Sequence, residues 1–282
     1  MASVAASTSL VELAVKPFQV LEALDLPAQY ERSFKLQPGE LITQRYMLGV
    51  DAVQAPRQAL QEAARRIGLP AAMRPLFEQA LEGASTVLFG FEGSEAPERS
   101  NGLAVFKVYT EYRTRLAGHS ADDGPIELFR GFKWHADQQD DGVQTIYRCR
   151  PGLSMPGLRS RISSLLADPA LADTARCCIA ILDRVDALRT GAQPQWLELG
   201  ELDQPIRAFD LNLYSAGLRV AAIGRPIRQL GAALGIERQS LDRLLALAGG
   251  GLLGHLSAGA SRNDQGFLTV YFEPVGAGGE AS

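Results

Sequence analysis

The feature that most constrains the fold of this chain is a rhythm. Short extended segments rich in β-branched and aromatic residues come in pairs, and helical segments with apolar residues three or four apart lie between most of the pairs. The five pairs are Arg32 to Gln37 with Leu41 to Gly49, Thr86 to Glu92 with Leu103 to Arg113, Ile126 to His135 with Val143 to Arg150, Gln195 to Glu201 with Arg207 to Tyr214, and Leu253 to Gly259 with Phe267 to Glu273. Turn-forming residues join them, among them Pro38-Gly39, Gln138 to Gly142, Asp203-Gln204-Pro205 and Arg262 to Gly266. A short turn between strands makes an antiparallel hairpin, whereas parallel strands need a long crossover between them. Helices are expected over Leu10 to Leu24, Val53 to Ile67, Ala71 to Leu81, Gly157 to Ala167, Leu171 to Leu188, Leu218 to Leu234 and Arg238 to Leu247. Gly68, Gly191, Gly235 and Gly249 follow helical runs where a left-handed cap would end them. The pattern specifies an α+β fold, a large antiparallel sheet with helices on one face. No linker interrupts it, so residues 1–275 are expected to form one domain, followed by a disordered tail over 276–282.

Within the second strand of each pair a polar residue, one spacer and a tyrosine recur. These are Gln44-Arg45-Tyr46, Lys107-Val108-Tyr109, Thr145-Ile146-Tyr147, Asn212-Leu213-Tyr214 and Thr269-Val270-Tyr271, and they use five of the seven tyrosines. Residues two apart on a strand share a face, so each polar residue and its tyrosine point the same way. The other face is apolar in Phe106 and Val108, Leu211 and Leu213, and Leu268, Val270 and Phe272, and should meet the helices. The tyrosine face then looks either into bulk water or into an enclosed interior. If the sheet closes into a ten-stranded antiparallel β-barrel ringed by helices, its lumen is wider than side chains alone would fill and suits a ligand. The first strands would add Glu92, Lys133 or Trp134, Trp196 or Gln195, and His255 with Ser257.

Composition narrows the function. With 28 Lys and Arg against 32 Asp and Glu, the net charge of -4 argues against a surface built for nucleic acid or anionic membrane. No stretch approaches 18 consecutive apolar residues, and residues 1–15 lack the basic region and apolar run of a secretion signal. Cys149, Cys177 and Cys178 have no metal or disulfide spacing and read as buried thiols of a reducing compartment, so the protein is expected in the cytoplasm. The run Asp137 to Asp141 falls in a turn and reads as solvated acid.

The short motifs, with the paired rhythm, resemble the soluble aromatic prenyltransferases of the αββα barrel type, in which ten antiparallel strands enclose a chamber ringed by helices. The resemblance implies transfer of an isoprenoid from an allylic diphosphate to an aromatic or peptide side-chain acceptor. It implies that Gln44, Tyr46, Lys107, Tyr109, Tyr147, Asn212, Tyr214 and Tyr271, with Lys133 and Trp196 from first strands, contact the substrates. Glu92 or Glu111 would orient the acceptor or take its proton. The physical reasons are that cations hold the departing diphosphate, while tyrosine faces shield the allyl cation from water. No cofactor is expected beyond Mg2+ accompanying the diphosphate, and the chain is expected to be a monomer. Two other readings stay open, a non-catalytic barrel carrying a hydrophobic small molecule or pigment and an α+β interaction protein whose tyrosine face meets a partner.

Overall fold

The computed structural model describes residues 9–94, 104–120, 123–137, 142–188, 191, 193–201, 205–261 and 264–275. Ten strands form a closed barrel: β1 (Gln29–Gln37), β2 (Glu40–Asp51), β3 (Thr86–Gly93), β4 (Ala104–Glu111), β5 (Ile126–His135), β6 (Gly142–Arg150), β7 (Gln195–Glu201), β8 (Ala208–Asn212), β9 (Leu252–Ala260) and β10 (Gly266–Glu273). Every strand pairs antiparallel with its neighbours in sequence, and β1 closes the ring against β10 through Arg32 opposite Phe272 to Leu36 opposite Leu268. The polar face is therefore enclosed. Expected residues 138–141, 202–204, 262–263, Leu103 and the tail 276–282 lie outside the described residues.

Among the described residues seven α-helices belt the barrel: α1 (Leu10–Ala23), α2 (Arg57–Ile67), α3 (Arg74–Ala80), α4 (Met155–Leu165), α5 (Ala172–Ala187), α6 (Gly224–Ala233) and α7 (Arg238–Ala248). Ser9 and Glu12 cap α1 reciprocally, the Ser9 hydroxyl accepting from Glu12 N and the Glu12 carboxylate accepting from Ser9 N. Gly68 ends α2 in the left-handed region. The apolar outer face of the sheet and the inner stripes of the helices make two cores. One joins α1, α2 and α3 to β2–β5 through Leu60, Phe77, Phe89, Phe106 and Trp134. The other joins α4–α7 to β1 and β7–β10 through Ile162, Ile181, Ile227, Trp196 and Leu256.

Several helix starts differ from the sequence reading, each for a local reason. The expected Val53 start moves to Arg57, because Asp51 Oδ1 accepts from the backbone of Val53 and Gln54 in a turn and Pro56 precedes the helix. The expected helix from Leu218 begins instead as a 3-10 turn over Val220–Ile223, followed by α6 with Pro226 in its first turn. Between β4 and β5 the described residues hold a 3-10 turn, Arg113–Leu116, and no α-helix, where a helix pair separates other hairpins. The helical belt has its gap there, and the outer face of β5 and β6 carries Arg130, Arg148 and Arg150 beside the apolar Phe132, Trp134 and Ile146.

Candidate active site

Charge inside the barrel is sorted. Toward the end where β3 finishes, the half-buried Glu92 sits among three cations: Arg45 Nη1 lies 3.0 Å away, Lys35 Nζ 3.8 Å away, and Lys107 Nζ donates to the same carboxylate. They meet because β1, β2, β3 and β4 are adjacent staves, with Ser33 opposite Arg45, Arg45 opposite Glu92 and Gly90 opposite Lys107. Lys133 stands directly across from Lys107 on β5, on the same face. Burial alone would raise the Glu92 carboxyl, but Arg45, Lys107 and Lys35 together hold it well below the usual carboxylate range. Burial drives Lys107 down to about 7 despite the attraction of Glu92, and the neighbouring charges of Arg45 and Lys133 push the same way. One carboxylate facing three cations and a fourth nearby leaves a net positive, poorly hydrated pocket, which is what a multiply charged anion needs.

The opposite end of the lumen is acidic. His255 Nδ1 lies 2.6 Å from Asp210 Oδ1, and Tyr214 Oη donates to Glu31 Oε1 at 2.7 Å. Burial disfavours the charged imidazole, yet Asp210, with help from Glu31 and Glu111, carries His255 up to about 9. Burial likewise raises the Glu31 carboxyl, opposed by His255 and the Tyr214 hydroxyl. A bulge in β9 opposite Tyr271 and Phe272 makes this corner possible. Any side chain at Gly254 would strike the pair, since a Cβ there would lie 2.6 Å from Glu31 Oε1 and from Tyr214 Cζ.

Two rows of rings run between these ends. On β4, β5 and β6, Lys133 Nζ lies 6.0 Å from the Tyr109 ring, Tyr109 meets Tyr147 edge-on at 5.6 Å, and Tyr147 meets Phe129 at 6.0 Å. Gly131 makes room for this packing, because a Cβ on it would sit 2.6 Å from the Tyr109 ring and 2.7 Å from Thr145 Oγ1. On the facing wall Tyr271, His255 and Tyr214 meet edge to face at 6.1 and 5.6 Å. The first row can cover a cation leaving the basic pocket. The second presents hydrogen-bonding groups from the acidic end.

The structure brings Lys107, Tyr109, Lys133, Tyr147, Tyr271, Glu92 and Glu111 together inside the barrel. It gives the two carboxylates different surroundings. Glu92 is the counterion of the basic pocket, and Glu111 pairs with the exposed Arg113 at the rim. Tyr214 reaches the lumen from a 3-10 turn after β8 instead of from the expected strand, and Asn212 Oδ1 accepts from the Tyr214 backbone to cap that turn. The structure places three other residues on the outer face. A register shift between Ser33 and Lys35 on β1, opposite Arg45 and Ile42, flips the alternation of β2. It turns Arg45 into the lumen, while Tyr46 stacks on Phe91 and donates its hydroxyl to Ala14 O of α1. Gln44 shares the Tyr46 side of the strand, opposite Gly93. Trp196 stacks on Phe209 at 4.6 Å in the core under α4–α7, because β7 turns Leu197 and Leu199 inward.

Arg45, Lys35 and Glu31 were missed as site residues, and His255, expected in the lumen, was not expected to pair with Asp210. The alternation Glu31, Ser33, Lys35 was a usable signal for β1, whereas nothing local marked the β2 shift that delivers Arg45.

The low value for Lys107 gives the basic pocket a pH signature. An anion favours the protonated amine, so binding of inorganic diphosphate near pH 8 should take up close to one more proton in the wild type than in Lys107→Met, and near pH 6 the difference should vanish. Binding enthalpies in buffers of different ionisation heat measure this uptake. Equal uptake at pH 8 would place the anion away from Lys107.

The fold has counterparts among solved structures. A 5-dimethylallyltryptophan synthase from Streptomyces coelicolor is 15% identical over 96% of this chain and 96% of its own, with a TM-score of 0.55. The NotF prenyltransferase is 13% identical over 87% of this chain and 80% of its own, TM-score 0.55. AnaPT from Neosartorya fischeri is 13% identical over 89% and 80%, TM-score 0.53. No protein-family model and no curated sequence matches the chain. The likeness is one of fold, and the barrel is the αββα type that the sequence motifs led us to expect.

Proposed function

We propose that this protein is a prenyltransferase that moves an isoprenoid from an allylic diphosphate to an aromatic or peptide side-chain acceptor inside the barrel. The observation that carries the reading is the gathering of Lys35, Arg45 and Lys107 on one lumen carboxylate at the head of a row of rings. It is supported by the fold shared with a dimethylallyltryptophan synthase, and by a NotF structure described as a complex with brevianamide F and DMSPP.

In this reading the diphosphate displaces Glu92 as partner of the cations, bringing a Mg2+ ion with it where one is used. The carbon–oxygen bond of the allylic diphosphate breaks with its electron pair leaving on the diphosphate, whose developing charge Lys107, Arg45, Lys35 and Lys133 stabilise in a low-dielectric enclosure. The allyl cation lies against Tyr109 and Tyr147, whose faces attract it and whose bulk keeps water out. An electron-rich acceptor held along Tyr271, His255 and Tyr214 attacks it, and the proton released as the ring regains aromaticity passes to a lumen carboxylate. Glu31 is the best placed, being half-buried, raised in pKa and hydrogen-bonded to Tyr214.

The test is turnover of dimethylallyl diphosphate with a panel of indoles, phenols and tyrosine- or tryptophan-containing peptides, read as diphosphate release and an acceptor heavier by one prenyl group. Lys107→Ala should lower kcat by about 100- to 1,000-fold, the size expected for removing one stabilising donor. Trp134 and Trp196 both lie on the helix side of the sheet, so calorimetry is the better binding readout than tryptophan fluorescence. Tight binding with no release would favour a carrier. No binding, or a Lys107→Ala variant equal to wild type, would sink the enzyme reading.

A further inference from the structure

The lumen holds an apolar patch at the end of β6 and β7 that is separate from both helical cores and from the scattered lumen residues Met47, Leu88 and Phe267. Cys149 and Leu197 face each other across β6 and β7, Leu199 stands opposite Tyr147, and Leu128, Phe129 and Ile126 of β5 pack into the same patch. Alternation places Cys149, Leu197, Leu199 and Phe129 on the lumen side, since Tyr147 is in ring contact with Tyr109 and Phe129. Leu116, from the 3-10 turn that replaces a helix pair between β4 and β5, packs onto this patch from the mouth of the barrel.

The position of the patch gives it a meaning. It lies at the far end of the ring row that starts at Lys133, beyond Tyr109 and Tyr147. A diphosphate held by the basic pocket would set its first carbon over Tyr109 and the end of a five-carbon chain over Tyr147. A second isoprene unit would extend roughly one further ring step and run into Phe129, Leu199 and Leu116. Cys149 and Leu197 are already buried by these neighbours, so the end of the row is plugged.

We infer that Leu116, with Leu199, is the stop that limits the isoprenoid to one five-carbon unit. The inference rests on the prenyltransferase reading and adds to it the length of the donor and the residues that set it. Leu116 is well suited to the role because it comes from a short turn at the barrel mouth and is only partly buried, so its size can change without loss of a core contact on the helix side. Leucine to alanine removes roughly three carbons, so the two changes together free about the room of one isoprene unit.

The experiment measures binding of dimethylallyl and geranyl thiolodiphosphates, which do not ionise readily, to the full chain and to Leu116→Ala, Leu199→Ala and the double variant. The wild type should bind the dimethylallyl compound at least about tenfold more tightly than the geranyl one. In the double variant that ratio should fall by at least about tenfold, through a gain in geranyl affinity, with dimethylallyl affinity nearly unchanged. Leu116→Phe should act in the opposite sense and weaken the dimethylallyl compound, which keeps the idea testable if an alanine variant fails to fold. A folded double variant with an unchanged ratio, or a wild type that prefers geranyl, overturns the inference and leaves the prenyltransferase reading standing. If the wild type binds neither analogue, both fall.

Discussion

Glu92→Gln should lower the stability of the ligand-free protein by about 3–5 kcal/mol and at the same time tighten its grip on inorganic diphosphate. Both effects come from one fact. The buried Arg45 and Lys107 and the half-buried Lys35 share Glu92 as their anion, and an amide of the same shape leaves their charge uncompensated. The cost should be greatest near pH 6, where Lys107 keeps its proton, and smaller near pH 8, where it can shed it. An added diphosphate replaces the missing anion without first having to displace a carboxylate. Urea unfolding with and without diphosphate, at both pH values, should therefore show a weaker apo protein and a larger ligand-induced gain than in the wild type. Loss of diphosphate affinity in a folded Glu92→Gln protein would mean that the carboxylate helps to bind the ligand, against the displacement described above.

Asp210→Asn should produce the second large effect, with a different pH dependence. His255 is carried to about 9 in the folded protein from an ordinary value near 6.5, Asp210 being its main charged partner. A histidine whose folded pKa is raised contributes stability that is fully present below about pH 6.5 and is lost as the pH rises through 9. At 1.36 kcal/mol per unit the wild-type contribution approaches roughly 3 kcal/mol, and the asparagine variant should lose most of it. The difference in stability between the two proteins should thus be largest at pH 6 and small at pH 9.5. NMR titration of the His255 ring should show its pKa falling toward or below the ordinary value in the variant. A pKa that stays near 9 would mean that Glu31 and Glu111, not Asp210, hold the charge.

The architecture could be read from the sequence because its signals are local and repeated. Each hairpin announces itself by a turn between two extended runs, and the apolar face of strands such as Leu268, Val270 and Phe272 says where the helices lie. Closure was half legible: the polar-x-tyrosine register gave the sheet a polar face, but only the pairing of β1 with β10 turns that face into an interior. The site was legible where strands alternate without interruption, as for Lys107, Tyr109 and Tyr147. It was hidden where the backbone breaks step. Gln44 and Tyr46 follow the motif and still lie on the outer face, Tyr46 bonding to α1, because one irregular ladder step opposite Ser33 and Lys35 reverses the faces of β2 and puts Arg45 in the lumen. Trp196 shows the reverse limitation. A tryptophan beside a glutamine on a short strand fits either face, and the helices of the second core claim it. The acidic end depends on contacts between residues far apart in sequence, Glu31 with Tyr214 and Asp210 with His255, which no local pattern displays.

The seam between β1 and β10 also has a consequence for how such a molecule comes into being. The two strands that complete the ring come from near opposite ends of the chain, so the loop they close spans almost all of it. Until the last hairpin, β9 with β10, docks, β1 and β8 present free edges, and Lys35, Arg45 and Glu92 sit beside an opening to water instead of within an enclosure. The final pairing therefore joins two events, the burial of the charged interior and the removal of the edges by which one unfinished chain would stick to another. Folding should be slow and dominated by non-local contacts, and it should be most vulnerable to aggregation just before the ring is sealed.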